Sequence, residues 1–248
     1  MRFEELAYKQ TAIGEVSLRR RWDPAVQKDV YEVKLDDDYL MSSLFTVAEE
    51  DLARIALTHL DGEQLHVAVG GLGLGYTALT VLDDSRVDSL IVIDALAEVI
   101  SWHEEGLIPA GRRLMADERC RFVHADFFEL NGTSSLDPQR PDQRFDAVIV
   151  DIDHSPQHVL HPKNAALYSV DGLRQLATHI QPGGVLALWS NDPPDDQFIT
   201  RLSAVFASAD ARVVEFPNPL QGGQSANTVY LAITADANSK THTSGTAS

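Results

Sequence analysis

At 248 residues and 44% hydrophobic content, the chain can bury one large core with room for a small appendage. Its formal net charge of −17 opposes a broad phosphate-binding surface, which needs clustered Lys and Arg, and so excludes nucleic acid as the expected partner. No apolar run reaches the roughly 18 residues of a membrane span, and the opening MRFEELAYKQ has no apolar signal core, so no membrane association is expected and a cytoplasmic location follows by default.

In chain order, residues 1–45 read as a small antiparallel β-region. EVSLRRRW and DVYEVKL alternate or carry β-branched residues, and a link containing Asp23-Pro24 joins them. The basic cluster Leu18–Trp22 falls in this alternating stretch and reads as a solvated strand face. At TVAEEDLARIALTHLDG the period changes. Val47, Leu52, Ile55, Ala56 and Leu60 fall at helical spacings, Thr46 with Glu49 forms a capping box, and Gly62 follows the end.

From there to residue 234 apolar strands alternate with helical stretches, which predicts βαβ units and an α/β fold. Seven strands are expected: LHVAVG, SLIVIDA, RFVHAD, FDAVIVDID, GVLALWS, ARVVEF and TVYLAIT. A loop without a helix joins the last two, so they form an antiparallel hairpin at one end of the sheet. The whole predicts a Rossmann-like, S-adenosylmethionine-dependent methyltransferase-type fold over 46–234, a seven-stranded mostly parallel sheet preceded by the small β-region. The tail 235–248 lacks apolar residues and is expected to be disordered.

Ligands of open α/β sheets bind beyond the carboxyl ends of the strands. The first large-sheet strand ends in Gly70, Gly71, Gly73 and Gly75, the second at Asp94, the third at Asp126, and the fourth in Asp151 and Asp153. Glycines allow close backbone approach, and the helix that follows offers free N–H groups. A carboxylate after the second strand can accept from both hydroxyls of a ribose, and one after the third from an adenine amino group. Taken singly, each glycine also suits a tight turn and each Asp a helix cap. Gly73-x-Gly75-x-x-Ala78 with Asp94 about 20 residues on also matches a dinucleotide fingerprint. The further acidic ends Asp126 and Asp151 favour adenosine plus a sulfonium over a second phosphate-bearing half.

Other side chains carry less. His154, His158 and His161 gather after the fourth strand with Asp151 and Asp153, but two prolines interrupt that loop and no metal is expected. Trp102 reads as packing, and Tyr76 and Thr77 either edge the pocket or start the helix. Asn191 and Asp192 are site residues or a cap before Pro193. Cys120, alone in the chain, reads as a core or strand-edge thiol.

The order of these motifs resembles the spermidine synthase (polyamine aminopropyltransferase) family over residues 1–234. The resemblance rests on YEVKLDDDYLMSS, GGLGLGYTA, IVIDALAEVI, VHADFFE, FDAVIVDIDHSP and AALYSVDGLRQLATHIQPGGVLAL. It implies a transferase of polyamine biosynthesis that takes decarboxylated S-adenosylmethionine and a small amine, and a homodimer formed through the N-terminal region. By resemblance Asp94 takes the ribose position, Asp126 the adenine position and Asp151 that of the catalytic carboxylate. Asp153 is expected to help Asp151 and meet the substrate, and Tyr168 sits where the loop returns to the core. Three positions depart from the family pattern. Gly73 replaces an Asp that holds the cofactor's amino group, MSSLFTVAEE replaces a Tyr-His-Glu-Met-like run, and Asp151-Ile152-Asp153-His154-Ser155-Pro156 replaces Asp-x-x-Asp-Pro. Losing the Asp at Gly73 removes a charge that would repel a carboxylate, so an S-adenosylmethionine-dependent methyltransferase is the first alternative. A non-catalytic nucleoside-binding homologue is the second.

Overall fold

The computed structural model describes residues 3–11, 14–218 and 222–237. The chain begins with a four-stranded antiparallel meander, β1 (Phe3–Thr11), β2 (Gly14–Asp23), β3 (Lys28–Leu35) and β4 (Asp38–Ser42). β2 and β3 are the two strands expected from alternation, and β1 and β4 extend them to both sides. The basic cluster on β2 lies against acidic neighbours. Arg19 and Arg20 pair with Glu5 and Glu4 of β1, while Arg21 pairs with Asp23 and with Glu32 of β3.

Helix α1 (Val47–Leu57) follows and buries Ala48, Leu52, Ala53, Ala56 and Leu57. The expected capping box does not form. The Thr46 hydroxyl donates to Glu50 Oε1 at 2.9 Å, and no side chain caps the helix. Glu49 is thereby left for another task.

The rest is one sheet with helices on both faces: β5 (Leu65–Gly70), α2 (Tyr76–Asp83), β6 (Val87–Asp94), α3 (Ala97–Glu104), α4 (Gly111–Ala116), β7 (Cys120–His124), α5 (Phe127–Asn131), β8 (Phe145–Val150), α6 (Val170–Ala177), β9 (Ile180–Ser190), α7 (Asp196–Ser203), β10 (Ser208–Pro217) and β11 (Gln224–Ile233). The strand order is β10-β11-β9-β8-β5-β6-β7, parallel from β9 to β7, with β11 antiparallel to both of its neighbours. All seven expected strands are present, with the expected hairpin. β9 starts earlier than its apolar run, at Ile180, and takes in Gly183 and Gly184. Residues 238–248 of the tail expected to be disordered lie outside the described residues.

Strand periodicity divides the core. On β5, Val67 and Val69 face one apolar cluster with α1 to α4, while Ala68 faces the other with Ile93, Val148, Leu186 and Phe198. A continuous apolar run is what a strand covered on both faces requires. Val16, Leu18 and Val33 of the small sheet join the first cluster, so hydrophobic burial ties the meander to the carboxyl edge of the large sheet. No helix of the described residues is long and apolar enough to cross a membrane.

Candidate active site

The loop from β5 to α2 crosses the carboxyl edge of the sheet next to β8. Its backbone is fixed where Gly71 (φ +96°) lies so close to Asp151 that a Cβ would overlap the Asp151 carbonyl oxygen. Gly73 (φ +48°) lies under Met41 of β4, with the thioether sulfur 2.5 Å from where a Cβ would sit. Gly71 therefore requires glycine for conformation and for space, whereas at Gly73 the positive φ favours glycine and the neighbouring atoms are the movable end of Met41. Gly70 packs on Phe127, and Gly75 on Leu114 and His103. Behind the loop, buried His103 donates from Nε2 to the Gly73 carbonyl at 2.8 Å. Burial pushes its pKa down to about 4, so the imidazole is neutral and serves as a strut. Trp102 is core, 5% exposed, and burial pushes the Cys120 thiol up to about 12.

Gly71, Gly73, Gly75 and Asp151 line one partly open cavity of about 70 Å³, together with Met41, Glu49, Tyr76, Thr77, Ile152, His154 and Trp189. The Trp189 indole N–H is buried and meets no hydrogen-bond partner among the described residues. Asp151 begins the loop after β8, where its backbone N–H donates to the Gly70 carbonyl at 2.8 Å. Its carboxylate accepts from the Thr77 hydroxyl at 2.7 Å. Burial pushes Asp151 up to about 6 against the pull of that hydrogen bond. Glu49 projects from the first turn of α1 into the same cavity, and burial followed by the charge of Asp151 pushes it up to about 8. Among the described residues neither carboxylate has a salt bridge. Two largely desolvated acids that share a cavity lined by no Lys or Arg titrate as a pair and retain a proton near neutrality.

Glu49 was hidden by the capping-box pattern. It lies three, four and seven residues before Leu52, Ala53 and Ala56, which are buried, and that spacing places it on the inward face of α1. An acid on an apolar helical stripe is the signal that could have found it.

Of the expected nucleoside-binding carboxylates only Asp151 lines this cavity, and Asp94 and Asp126 do not. Asp94 ends β6, and its two oxygens accept from the N–H groups of Leu72 (2.9 Å) and Leu96 (2.8 Å), tying the glycine loop to α3. Burial raises its pKa while these N–H groups oppose the rise. Asp126 caps α5 through Phe128 N–H (2.8 Å), and its second oxygen pairs with Lys163 Nζ at 2.7 Å. Lys163 also reaches Glu129 at 3.2 Å.

Asp153, expected to help Asp151 and meet substrate, is turned into the protein and is 2% exposed. It accepts from Leu160 N–H at 2.7 Å, Asn164 Nδ2 at 2.8 Å and the Tyr168 hydroxyl at 2.8 Å. Its acceptor capacity goes into closing the loop, and Tyr168 belongs to that closure as its 4% exposed donor. The three histidines also separate. His154 lines the cavity, His158 Nδ1 pairs with Asp192 Oδ2 at 2.6 Å, and His161 accepts from Lys163 N–H at 3.2 Å. Asn191 donates its N–H to the His154 carbonyl at 2.7 Å, so Asn191 and Asp192 anchor the loop to the end of β9.

An open sheet of this strand order, with a glycine-rich loop after β5 and carboxylates at the next strand ends, defines a Rossmann-like fold of the methyltransferase type. With the meander in front, the fold is similar to that of solved spermidine synthases. A spermidine synthase in complex with the transition-state analogue AdoDATO superposes with a TM-score of 0.69 and 18% identity, covering 93% of this chain and 74% of that one. The spermidine synthase from Thermotoga maritima gives a TM-score of 0.67 at 18% identity, covering 93% and 73%. No family model and no curated protein matches the sequence. The likeness is one of fold.

Proposed function

We propose that this chain is a spermidine synthase-like transferase that moves an aminopropyl group from decarboxylated S-adenosylmethionine to a small amine. The observation that carries the reading is the pair Glu49 and Asp151, two carboxylates without a cation in a cavity floored by the glycine loop. Such a cavity attracts an ammonium and a sulfonium, and each positive charge that enters lowers the cost of ionising the pair.

The amine nitrogen attacks the carbon next to the sulfonium, a new C–N bond forms as the C–S bond breaks, and methylthioadenosine leaves. Asp151, oriented by Thr77, attracts the ammonium and accepts its proton as the nitrogen becomes a nucleophile. Placing nitrogen and carbon in line contributes more than the proton transfer, because the sulfonium is already activated. Glu49 supplies on α1 the negative charge that the loop lacks at Gly73 and faces the donor's amino group. Asp94 takes the ribose and Asp126 the adenine amino group, for which Lys163 must release Asp126. Asp153 positions the loop. A homodimer through the small sheet is part of the same proposal.

The pair also separates this reading from methyl transfer. Intact S-adenosylmethionine carries a carboxylate that would meet Glu49 and Asp151 with no cation lining the cavity to offset the repulsion. Calorimetry with S-adenosylmethionine, its decarboxylated form and methylthioadenosine tests this. Decarboxylated donor should bind tightest of the three, and preference for the intact form would make the chain a methyltransferase. Methylthioadenosine affinity without turnover on any amine would make it a binding protein.

A further inference from the structure

Next to the inner cavity lies a second, more open one of about 440 Å³, lined by Arg21, Glu32, Tyr39, Met41, Ser42, Leu44 and Phe45. Met41 and Ser42 belong to both. The Met41 side chain, lying over Gly73, is the partition between them, and an unbranched thioether is the side chain most readily repacked.

The two cavities differ in charge. Inside, Glu49 and Asp151 have no salt-bridge partner among the described residues. Outside, every charged wall residue is already paired: Arg21 Nε donates to Glu32 Oε1 at 2.8 Å, and Arg21 Nη1 to Asp23 Oδ2 at 2.6 Å. Glu32 and Asp23 are 6% and 3% exposed, so neither is available to a newcomer without breaking a buried pair. The Lys34 ammonium lies 5.0 Å from the centre of the Tyr39 ring and adds positive charge beside the groove. Apart from these groups the wall is Tyr39, Leu44, Phe45 and the Met41 thioether, with Tyr39 59% exposed.

We infer that the outer groove binds the tail of the acceptor and that this tail is apolar or aromatic: the substrate is an arylalkyl or alkyl monoamine, with its single ammonium at Glu49 and Asp151 and its hydrocarbon end against Tyr39, Leu44 and Phe45. This rests on the proposed function for the inner cavity and adds the acceptor class. A linear diamine fits poorly, because its distal ammonium would lose water beside Arg21 without gaining a free carboxylate. Met41 sets the passage, so its volume decides which tails reach the groove.

The test is calorimetric titration of the full-length protein with phenethylamine and with diaminobutane, with and without saturating methylthioadenosine. Phenethylamine should bind about tenfold tighter or better, a ratio typical of one uncompensated charge. Leu44→Asp, which places an unpaired carboxylate in the groove, should narrow or invert that ratio, and Met41→Ala should raise affinity for amines with bulkier tails. Equal or tighter binding of diaminobutane, or no phenethylamine binding, would overturn the inference. Failure of methylthioadenosine to bind would instead strike at the proposed function, because the amine ratio is read independently of the nucleoside.

Discussion

Asp151 and Asp153 stand two residues apart in one loop, yet they have opposite surroundings. Asp153 receives three hydrogen bonds from its own loop and is sealed from solvent. Asp151 receives one, from Thr77, and shares a cavity with Glu49. A carboxylate saturated by internal donors contributes to the fold, and one left unsaturated beside a second acid is destabilised until a cation arrives. In the proposed function structure and chemistry fall to different neighbours, and the difference is set by which donors each side chain meets.

Substitutions can break this contrast in order of effect. Asp151→Asn should lower turnover about 100-fold or more while methylthioadenosine affinity stays within about twofold, since it removes the proposed proton acceptor but little volume. Steady-state kinetics beside calorimetry checks this, and equal loss of both would move Asp151 from chemistry to nucleoside binding. Asp153→Ala should cost about 2–3 kcal/mol of stability by leaving three buried donors unpaired, with Tyr168→Phe costing about 1 kcal/mol. Urea unfolding measures both, and a neutral Asp153→Ala would remove the loop closure from the account.

Glu49 sharpens the contrast through pH. Its carboxyl keeps a proton in the folded protein up to about 8, whereas an unfolded glutamate loses it near 4.5, so the folded state binds more protons in that window. The stability this confers is present below the lower value and lost as pH rises through the upper one. Glu49→Gln should therefore match wild type near pH 5 and be more stable by about 1–3 kcal/mol at pH 9. A constant difference across that range would deny the shift. The smallest effect is at the rim. Lys163→Met removes a partly exposed ion pair to Asp126, so methylthioadenosine should bind a few-fold tighter and with less dependence on salt.

The fold was legible because its signals are local and repeated. The apolar runs of β5, β6, β7 and β8 with glycine or Asp at their ends predict a parallel sheet, and a helix-free link predicts the antiparallel hairpin of β10 and β11. The site was legible only as far as chain order carries it. Asp94, Asp126 and Asp151 were assigned by their places after strands, but donor partners decide what each does, and these come from distant segments. Asp153 meets Tyr168 across 15 residues, and Thr77 meets Asp151 across 74. Glu49 was misread because two patterns overlap there. Thr46-x-x-Glu49 satisfies a capping box, while the same Glu lies on the buried stripe of α1 and packing chose the stripe.

In the proposed function the cavity under α1 is prepared for a positive charge that the described residues do not themselves supply. Counting protons exchanged on binding of decarboxylated S-adenosylmethionine, by calorimetry near pH 7 in buffers of different ionisation enthalpy, tests it most directly. Net release of protons from the Glu49 and Asp151 pair is expected, with much less release in Glu49→Gln. Binding without proton exchange, or with uptake, would contradict it.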